Sequence, residues 1–453
     1  MTCILHRMPT QHVQIDGVSF RSVFPAQRIV GAAAAGLRPP RLCVALVLLA
    51  LWMSGGAFWD LTTTPTISPR GIAYGTLDAS TLDEARRIME AAALSVVPDA
   101  EVDGANPAQL IAIVSSSVDA SSDDDARDRA DAAARAIAAV RPRGAFESWA
   151  FALRERLLAL VGDAVTLQWS ALPGRVGSLV WDLPREAIRV SWGFAGYLVL
   201  LFTLGMASIG VVLSRMNAMD LSEAPAPTFS QARAWGAAVR SSAVGAILVP
   251  FLGMGICIGL AALPALLGLI PVAGVVGALV FGVSLLFGML AIVIGASVTV
   301  ALPFVIPAVA CDAADAVEAP QRALASVLSR PIHAVVHLAL GLLAVVLAMA
   351  ATDVVVSCGF DAAVSAWTVV DDGPAIRSVG RMVPFEPWRD STTIGMDMVD
   401  TASAWFLGFW RTIASALIGA AALSTIIAAC TRAWLLQRHA SEGQHPADIL
   451  ERP

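Results

Sequence analysis

Residues Ser241 to Cys311 read SSAVGAILVPFLGMGICIGLAALPALLGLIPVAGVVGALVFGVSLLFGMLAIVIGASVTVALPFVIPAVAC, 71 residues without one Asp, Glu, Lys, Arg or His. As a helix rising ~1.5 Å per residue, this stretch would reach ~107 Å, more than twice a hydrocarbon core of ~30 Å. No water-soluble domain requires such a run, so the chain is read as a protein of the bilayer. Gly268 and Pro271 mark a turn, which divides the run into a two-span hairpin whose return leg ends near Pro307. The missing charge also counts against ion-coupled transport, which places ionisable groups at depth.

Working outward, composition points the same way. Hydrophobic residues make up 57% of the chain and charged residues 15%, and the mean hydropathy is +0.71. All 30 basic residues are Arg, and there are only two Asn and two Tyr, a bias that follows from a GC-rich genome. A net charge of −6 without a clustered basic face excludes a nucleic-acid partner. The cysteines, at 3, 43, 257, 311, 358 and 430, form no CxxC, so neither a zinc site nor a redox pair is signalled and no cofactor is expected. Cys358 is the one cysteine expected outside the membrane on the far side, which argues against an intramolecular disulfide.

Six apolar segments can span: Leu42–Trp59, Trp192–Leu213, Ala243–Leu267, Val272–Leu302, Ile332–Thr352 and Thr412–Cys430. The first is anchored by Arg38 and Arg41 at one end and by Trp52 and Trp59 toward the other. No A-x-A site follows it, so it is read as retained and not as a cleaved signal. The fourth is too long for a straight crossing and is expected to tilt or to leave the core near Pro303 and Pro307. Trp405, Phe406, Phe409 and Trp410 around Arg411 read as an interfacial belt with a snorkelling Arg.

Arg placement orients the set. Residues 1–41 hold five Arg and one acid, whereas the 60–191 loop holds 13 Arg and 19 acids and 353–403 three Arg and eight acids. The expected topology puts both termini in the cytoplasm and both large loops outside. The resulting organisation is a cytoplasmic segment 1–41, a first span 42–59, an extracytoplasmic helical region 60–191 and a core bundle 192–352 with connectors 214–242 and 312–331. A second external loop 353–411, a last span 412–430 and a cytoplasmic tail 431–453 complete it. The fold class is all-α: a polytopic membrane bundle of about six helices with a small helical extracytoplasmic cap.

Within 60–191, a helix is expected over Thr81–Leu94, and Ser121 to Asp125 read as a cap before an Ala-rich helix over 126–139. Phe146, Trp149, Leu153, Leu157 and Leu160 recur at helical spacing, as do Val176, Leu179, Val180 and Trp181. The segment has no His and no Gly-rich phosphate loop, which disfavours a hydrolase there. Before the first span, Val23–Leu37 reads as a short interfacial helix broken off by Pro39-Pro40, against a disordered basic tail as the other reading.

Two pairs of residues bear chemistry. Asp312 and Asp315 lie three apart and His333 and His337 four apart, each pair sharing one helix face. Two readings are open: a metal site, or an interfacial Asp pair with His that hydrogen-bond inside the bundle. The second is the expectation, because nothing in the sequence brings the pairs together. Gly255 and Gly259 form a GxxxG, and Gly205 and Gly210 lie in the second span; close helix packing is expected at these. Pro250, Pro264 and Pro271 would break the third span if it lined a cavity. In the 312–331 connector, Val317, Ala323, Leu324 and Val327 are expected toward the membrane, with Asp312, Asp315, Glu318, Gln321 and Arg322 toward water.

Several of these residues also carry a resemblance. The FRSVFPA stretch from Phe20 precedes a basic, Pro-containing lead-in to the first span; Arg215 lies in Ser214-Arg215-Met216, followed by the Phe229–Val239 stretch. Asp312 and Asp315 sit in an acidic connector, Ala310 to Val317, before Ser329-Arg330-Pro331. In this order of features the chain resembles a group of uncharacterised multi-pass membrane proteins of planctomycete-type bacteria. The connector is more loosely similar to the membrane region of some glycerophosphodiester phosphodiesterases, but no phosphodiesterase domain is recognisable. The resemblance leaves out most of 60–191. Ala314, Val327 and Leu328 stand where the group has aromatic residues. It implies fold and topology, with Arg215, Asp312, Asp315, Arg330 and Pro331 as structural motif residues, and no activity.

The expected function is a non-catalytic membrane scaffold or a lipid-interacting envelope component, with the bilayer and other membrane proteins as partners. The alternative is a passive permease or the membrane subunit of an export system. An enzyme is not expected, because the spans offer no nucleophile with its base.

Overall fold

The computed structural model describes residues 27–63, 66–67, 79–100, 142–166, 170–221, 228–266, 280–370 and 398–442, with scattered positions between 102 and 140 and the single residues 168 and 376. It is an all-α bundle whose six longest apolar helices are long enough to cross a membrane. Two short helices, α1 (Gln27–Val30) and α2 (Ala32–Gly36), lead into α3 (Pro39–Thr62). Then come α4 (Ala79–Leu94), α5 (Ala145–Val165), α6 (Leu172–Gly177) and α7 (Leu183–Val190). The second long helix, α8, covers Trp192–Leu221 with one π-turn at Met206–Gly210. It is followed by α9 (Phe229–Ala238), α10 (Arg240–Leu266), α11 (Phe281–Asp312), α12 (Glu318–Ser329), α13 (Pro331–Val370) and α14 (Met398–Glu442). Among the described residues the only strand pairing joins Thr66–Ile67 to Pro142–Arg143.

The chain breaks between α2 and α3 for a local reason. Arg38 is extended (φ −63°, ψ 131°), the conformation a following proline imposes, and Pro39 takes the first helical position, where its missing N–H costs nothing. The expected break at Pro39-Pro40 is therefore present. The expected interfacial helix is not: Ile29, Ala32 and Ala35 are buried in the protein core. Gly36 is pressed onto α14, where an added Cβ would lie 2.8 Å from the Thr425 Cα. Residues 23–26 lie outside the described residues.

The largest core gathers where α3, α10 and α13 begin and α8, α11 and α14 end; we call this the basic end. It joins Val305, Val309 and Ala310 of α11, Ala319, Ala323 and Val327 of α12, and Trp434 and Leu435 of α14. This corrects the expectation for the connector. Ala323 and Val327 face the protein interior, not a membrane surface, because the last turns of α11 and α14 cover them. By contrast the hairpin of α10 and α11, the chargeless run, is almost all surface toward its far end, with Leu252, Ile256, Leu286, Ile292 and Val293 exposed. In a bilayer that surface faces lipid at no hydrophobic cost.

The break considered for the third span at Pro250 and Pro264 is absent, and the fourth span likewise stays helical through its prolines. The helices run unbroken through Pro250 and Pro264 in α10 and through Pro303 and Pro307 in α11. The missing bonds are tolerated where neighbouring turns re-satisfy the freed carbonyls. The α11 helix stops instead at Ala313, a left-handed residue (φ 51°) whose N–H donates to the Val309 carbonyl. Pro271 and the expected turn at Gly268 lie outside the described residues. The GxxxG is also corrected: among the described residues a Cβ added at Gly255 or Gly259 would meet nothing within 4 Å, whereas Gly205 is packed against Trp52 and Leu48.

The last two helices exceed expectation. At ~1.5 Å per residue, the 40 residues of α13 span ~60 Å and the 45 of α14 ~68 Å. Much of the expected loop 353–411 is thus helix.

The region between the first two spans is tied to α3 through Asp60, which accepts from the N–H of Phe146 (2.8 Å) and of Glu147 (2.9 Å) and so caps α5. Arg156 of α5 pairs with Glu186 of α7 at 2.5 Å. A separate small core (Met89, Leu110, Val114, Ile137) joins α4 to helical residues of 109–137. Helix α4 matches the helix expected over Thr81–Leu94, and Phe146 and Leu160 are buried while Leu157 is exposed. The cap expected at Ser121 to Asp125 lies outside the described residues.

Candidate functional site

Helix C-termini carry carbonyls that no intrahelical N–H can satisfy, and the negative end of the dipole lies there. Four helices of this bundle, α1, α2, α11 and α12, bring such ends close to the basic end, and long side chains from neighbouring helices fill them. Arg41 donates to the Ala35 carbonyl of α2 (2.9 Å) and to the Met216 carbonyl of α8 (3.1 Å). Arg432 donates to the Arg28 carbonyl of α1 at 2.7 Å. Gln437 donates to the Ser326 (2.9 Å) and Arg330 (3.2 Å) carbonyls at the end of α12. At the end of α11, the Ala310 carbonyl accepts from the Trp235 indole at 2.9 Å and from Arg215 at 3.5 Å. The Arg215 guanidinium lies over the Trp235 ring, 4.4 Å from its centroid.

Two ionic centres lie within this frame. In the first, Asp220 of α8 serves three guanidiniums: Arg38 on one carboxylate oxygen, and Arg432 (3.2 Å) and Arg41 (3.6 Å) on the other. In the second, Asp312 at the end of α11 meets Arg438 of α14 at 2.5 Å, with side chains only 3% and 9% exposed. Arg438 also reaches Glu442 at 2.5 Å and covers the Trp434 ring. The reading of Asp312 toward water is corrected: in the last turn of α11 it lies on the face that meets α14, where Arg438 covers it.

The four candidate metal residues separate. Asp312 is engaged by Arg438. Asp315 accepts from the N–H of Glu318 (2.7 Å) and of Val317 (2.9 Å), bonds that hold its carboxyl below the usual carboxylate range. His333 and His337 face each other edge-on with ring centroids 6.3 Å apart, and the buried His337 Nδ1 has no partner among the described residues. Among the described residues no group of three or more His, Cys, Asp or Glu could hold a metal ion. The structural motif residues do different work: Arg215 caps α11, the Arg330 carbonyl receives Gln437, and Pro331 opens α13.

Asp220, Arg432, Gln437 and Arg438 carried no signal of a shared site, since each is a lone polar residue far in sequence from its partner. The one available hint was an Arg or Gln inside an apolar helix, costly unless paired. No family model, no curated protein and no solved structure matches the chain.

Proposed function

We propose that the protein is a non-catalytic scaffold of the cell inner membrane, with both termini in the cytoplasm and the basic end on that side. The reading rests on the length of the α13/α14 pair. Ser214 bonds Thr431 at 2.8 Å and Arg41 bonds the Met216 carbonyl at 3.1 Å, so these residues share one level at the basic end. A hydrocarbon core of ~30 Å takes roughly 20 helical residues. Counted from that level, the far boundary falls near Leu61 on α3 and near Arg411 on α14. Beyond it α14 continues back to Met398, and α13 reaches Val370. The pair forms a post past the far boundary, with Trp367, Val369, Trp405 and Phe406 exposed on and beside it. A post of paired helices with open aromatic surface suits attachment of another membrane protein.

The alternative, a passive permease or the membrane subunit of an export system, drew on broken helices that would line a cavity. Helix α10 runs on through Pro250 and Pro264, so it has no unwound segment there to line a cavity. The resemblance to multi-pass proteins of planctomycete-type bacteria is consistent with the six-span topology and adds no activity.

The test is photo-crosslinking in cells from positions 367 and 405, with position 292 on the lipid-facing hairpin as control. The scaffold reading expects one discrete protein adduct from the first two and none from 292. Lipid adducts alone at all three, with solute leakage from liposomes holding the purified protein, would instead establish the permease. A reporter fused after Pro453 tests orientation, and activity only outside the cytoplasm would reverse it.

A further inference from the structure

We propose that the Arg38–Arg41–Arg432 cluster binds a phosphate oxyanion, carried in a membrane by the headgroup of an anionic phospholipid, with Asp220 as its internal organiser. Three guanidiniums face one carboxylate, so three positive charges less one negative leave a formal excess of two. Among the described residues no second acid pairs with any of the three.

The donors divide into spent and available. Arg41 uses both terminal nitrogens on the Ala35 and Met216 carbonyls and is a fixed structural charge. Arg432 is nine-tenths buried, with one terminal nitrogen on the Arg28 carbonyl and the other on Asp220; its Nε has no partner among the described residues. Arg38 touches Asp220 with one nitrogen while its side chain is 54% exposed, so most of its donors open outward. Because Arg38 and Arg432 grip the two oxygens of one carboxylate, their guanidiniums are held side by side. A planar guanidinium fork matches phosphate oxygens, and two forks locked by a shared carboxylate lose little freedom on binding.

Position selects the source. The cluster lies at the buried end of α8 and at the lead-in to α3, whose exposed apolar surface begins with Val47 and Leu51. Headgroup phosphates of the adjoining leaflet lie at that depth, and basic recesses between helices on the cytoplasmic side recognise them. The proposal needs the chain to span a bilayer but does not need the scaffold role: a protein that captures no partner can still retain the lipid.

The experiment uses the full chain in neutral detergent, titrated with phosphatidylglycerol, with phosphatidylcholine, or with inorganic phosphate, and read by native mass spectrometry and thermal midpoint. Wild type is expected to retain phosphatidylglycerol over phosphatidylcholine. Arg38→Gln, an exposed change that leaves Arg41 and Arg432 on Asp220, should weaken that retention about fivefold, the factor for roughly 1 kcal/mol per basic residue at an anionic surface. Arg432→Gln should weaken it further; where this variant is poorly folded, Arg38→Gln alone decides. Midpoint protection by inorganic phosphate, lost in Arg38→Gln, would keep the oxyanion site and assign it to free phosphate. Equal retention of the two lipids by wild type without phosphate protection overturns the proposal, as does unchanged binding by Arg38→Gln.

Discussion

Replacing Asp312 by Asn tests whether the α11 end is locked to α14 by charge. In the native fold the Asp312 carboxylate and the Arg438 guanidinium are 2.5 Å apart and almost wholly withdrawn from solvent. Removing one partner of a buried ion pair costs about 3–5 kcal/mol, because the remaining charge stays in a poor solvent. Here Arg438 keeps Glu442 at 2.5 Å, and that carboxylate is half-exposed, so the expected cost falls to about 2–3 kcal/mol. The second variant separates charge from fit. Asp312→Asn/Arg438→Met removes both charges and keeps an unbranched side chain against Trp434, so it should recover to within ~1 kcal/mol of wild type. The assay is an unfolding titration in mixed micelles followed by circular dichroism. The reasoning is refuted if Asp312→Asn unfolds at the wild-type midpoint, or if the double variant is weaker than the single one.

Two further outcomes follow from the same end of the bundle. Gly36→Ala places a Cβ against the Thr425 hydroxyl and 2.8–2.9 Å from its backbone, so α2 must shift off α14 at about 1–3 kcal/mol. Adding Thr425→Ala removes the hydroxyl but not the backbone, and recovery of full stability in that pair, measured by the same titration, would show that the close approach is not a backbone contact. Asp315 supplies a pH test. Its carboxyl is depressed in the fold by the Glu318 and Val317 N–H groups, so its contribution is complete above the unfolded value of about 3.9 and is lost as pH falls through the lower folded value. Exchange protection of the 317 and 318 amides should therefore decline below about pH 4 in wild type and be independent of pH there in Asp315→Asn; equal protection at pH 3 and 5 in wild type would contradict the cap.

Much of the fold was legible because a bilayer imposes it locally. A chargeless run can be recognised without knowing its neighbours, and the cores of all six expected spans fall within long helices. Helix ends were less legible. The expected spans stop where hydropathy falls, yet α13 passes Asp353 to Val370 and α14 continues past Arg432 to Glu442. The α14 extension is held by α11 and α12, through Arg438 on Asp312 and Gln437 on the Ser326 carbonyl, and hydropathy does not measure such contacts.

The candidate site shows the same division. Local rules alone place Asp315 on a short connector after Asp312, set Arg38 and Arg41 at the start of the first span, and make Pro39 end whatever precedes it. Covalent spacing and backbone sterics decide those points. Packing of the bundle is what turns Asp312 inward to Arg438 and lets one carboxylate at Asp220 gather Arg38, Arg41 and Arg432, while Asp315 caps α12. The physical reason is distance along the chain: Asp220 and Arg432 are 212 residues apart, and their attraction exists only once the bundle has closed around them.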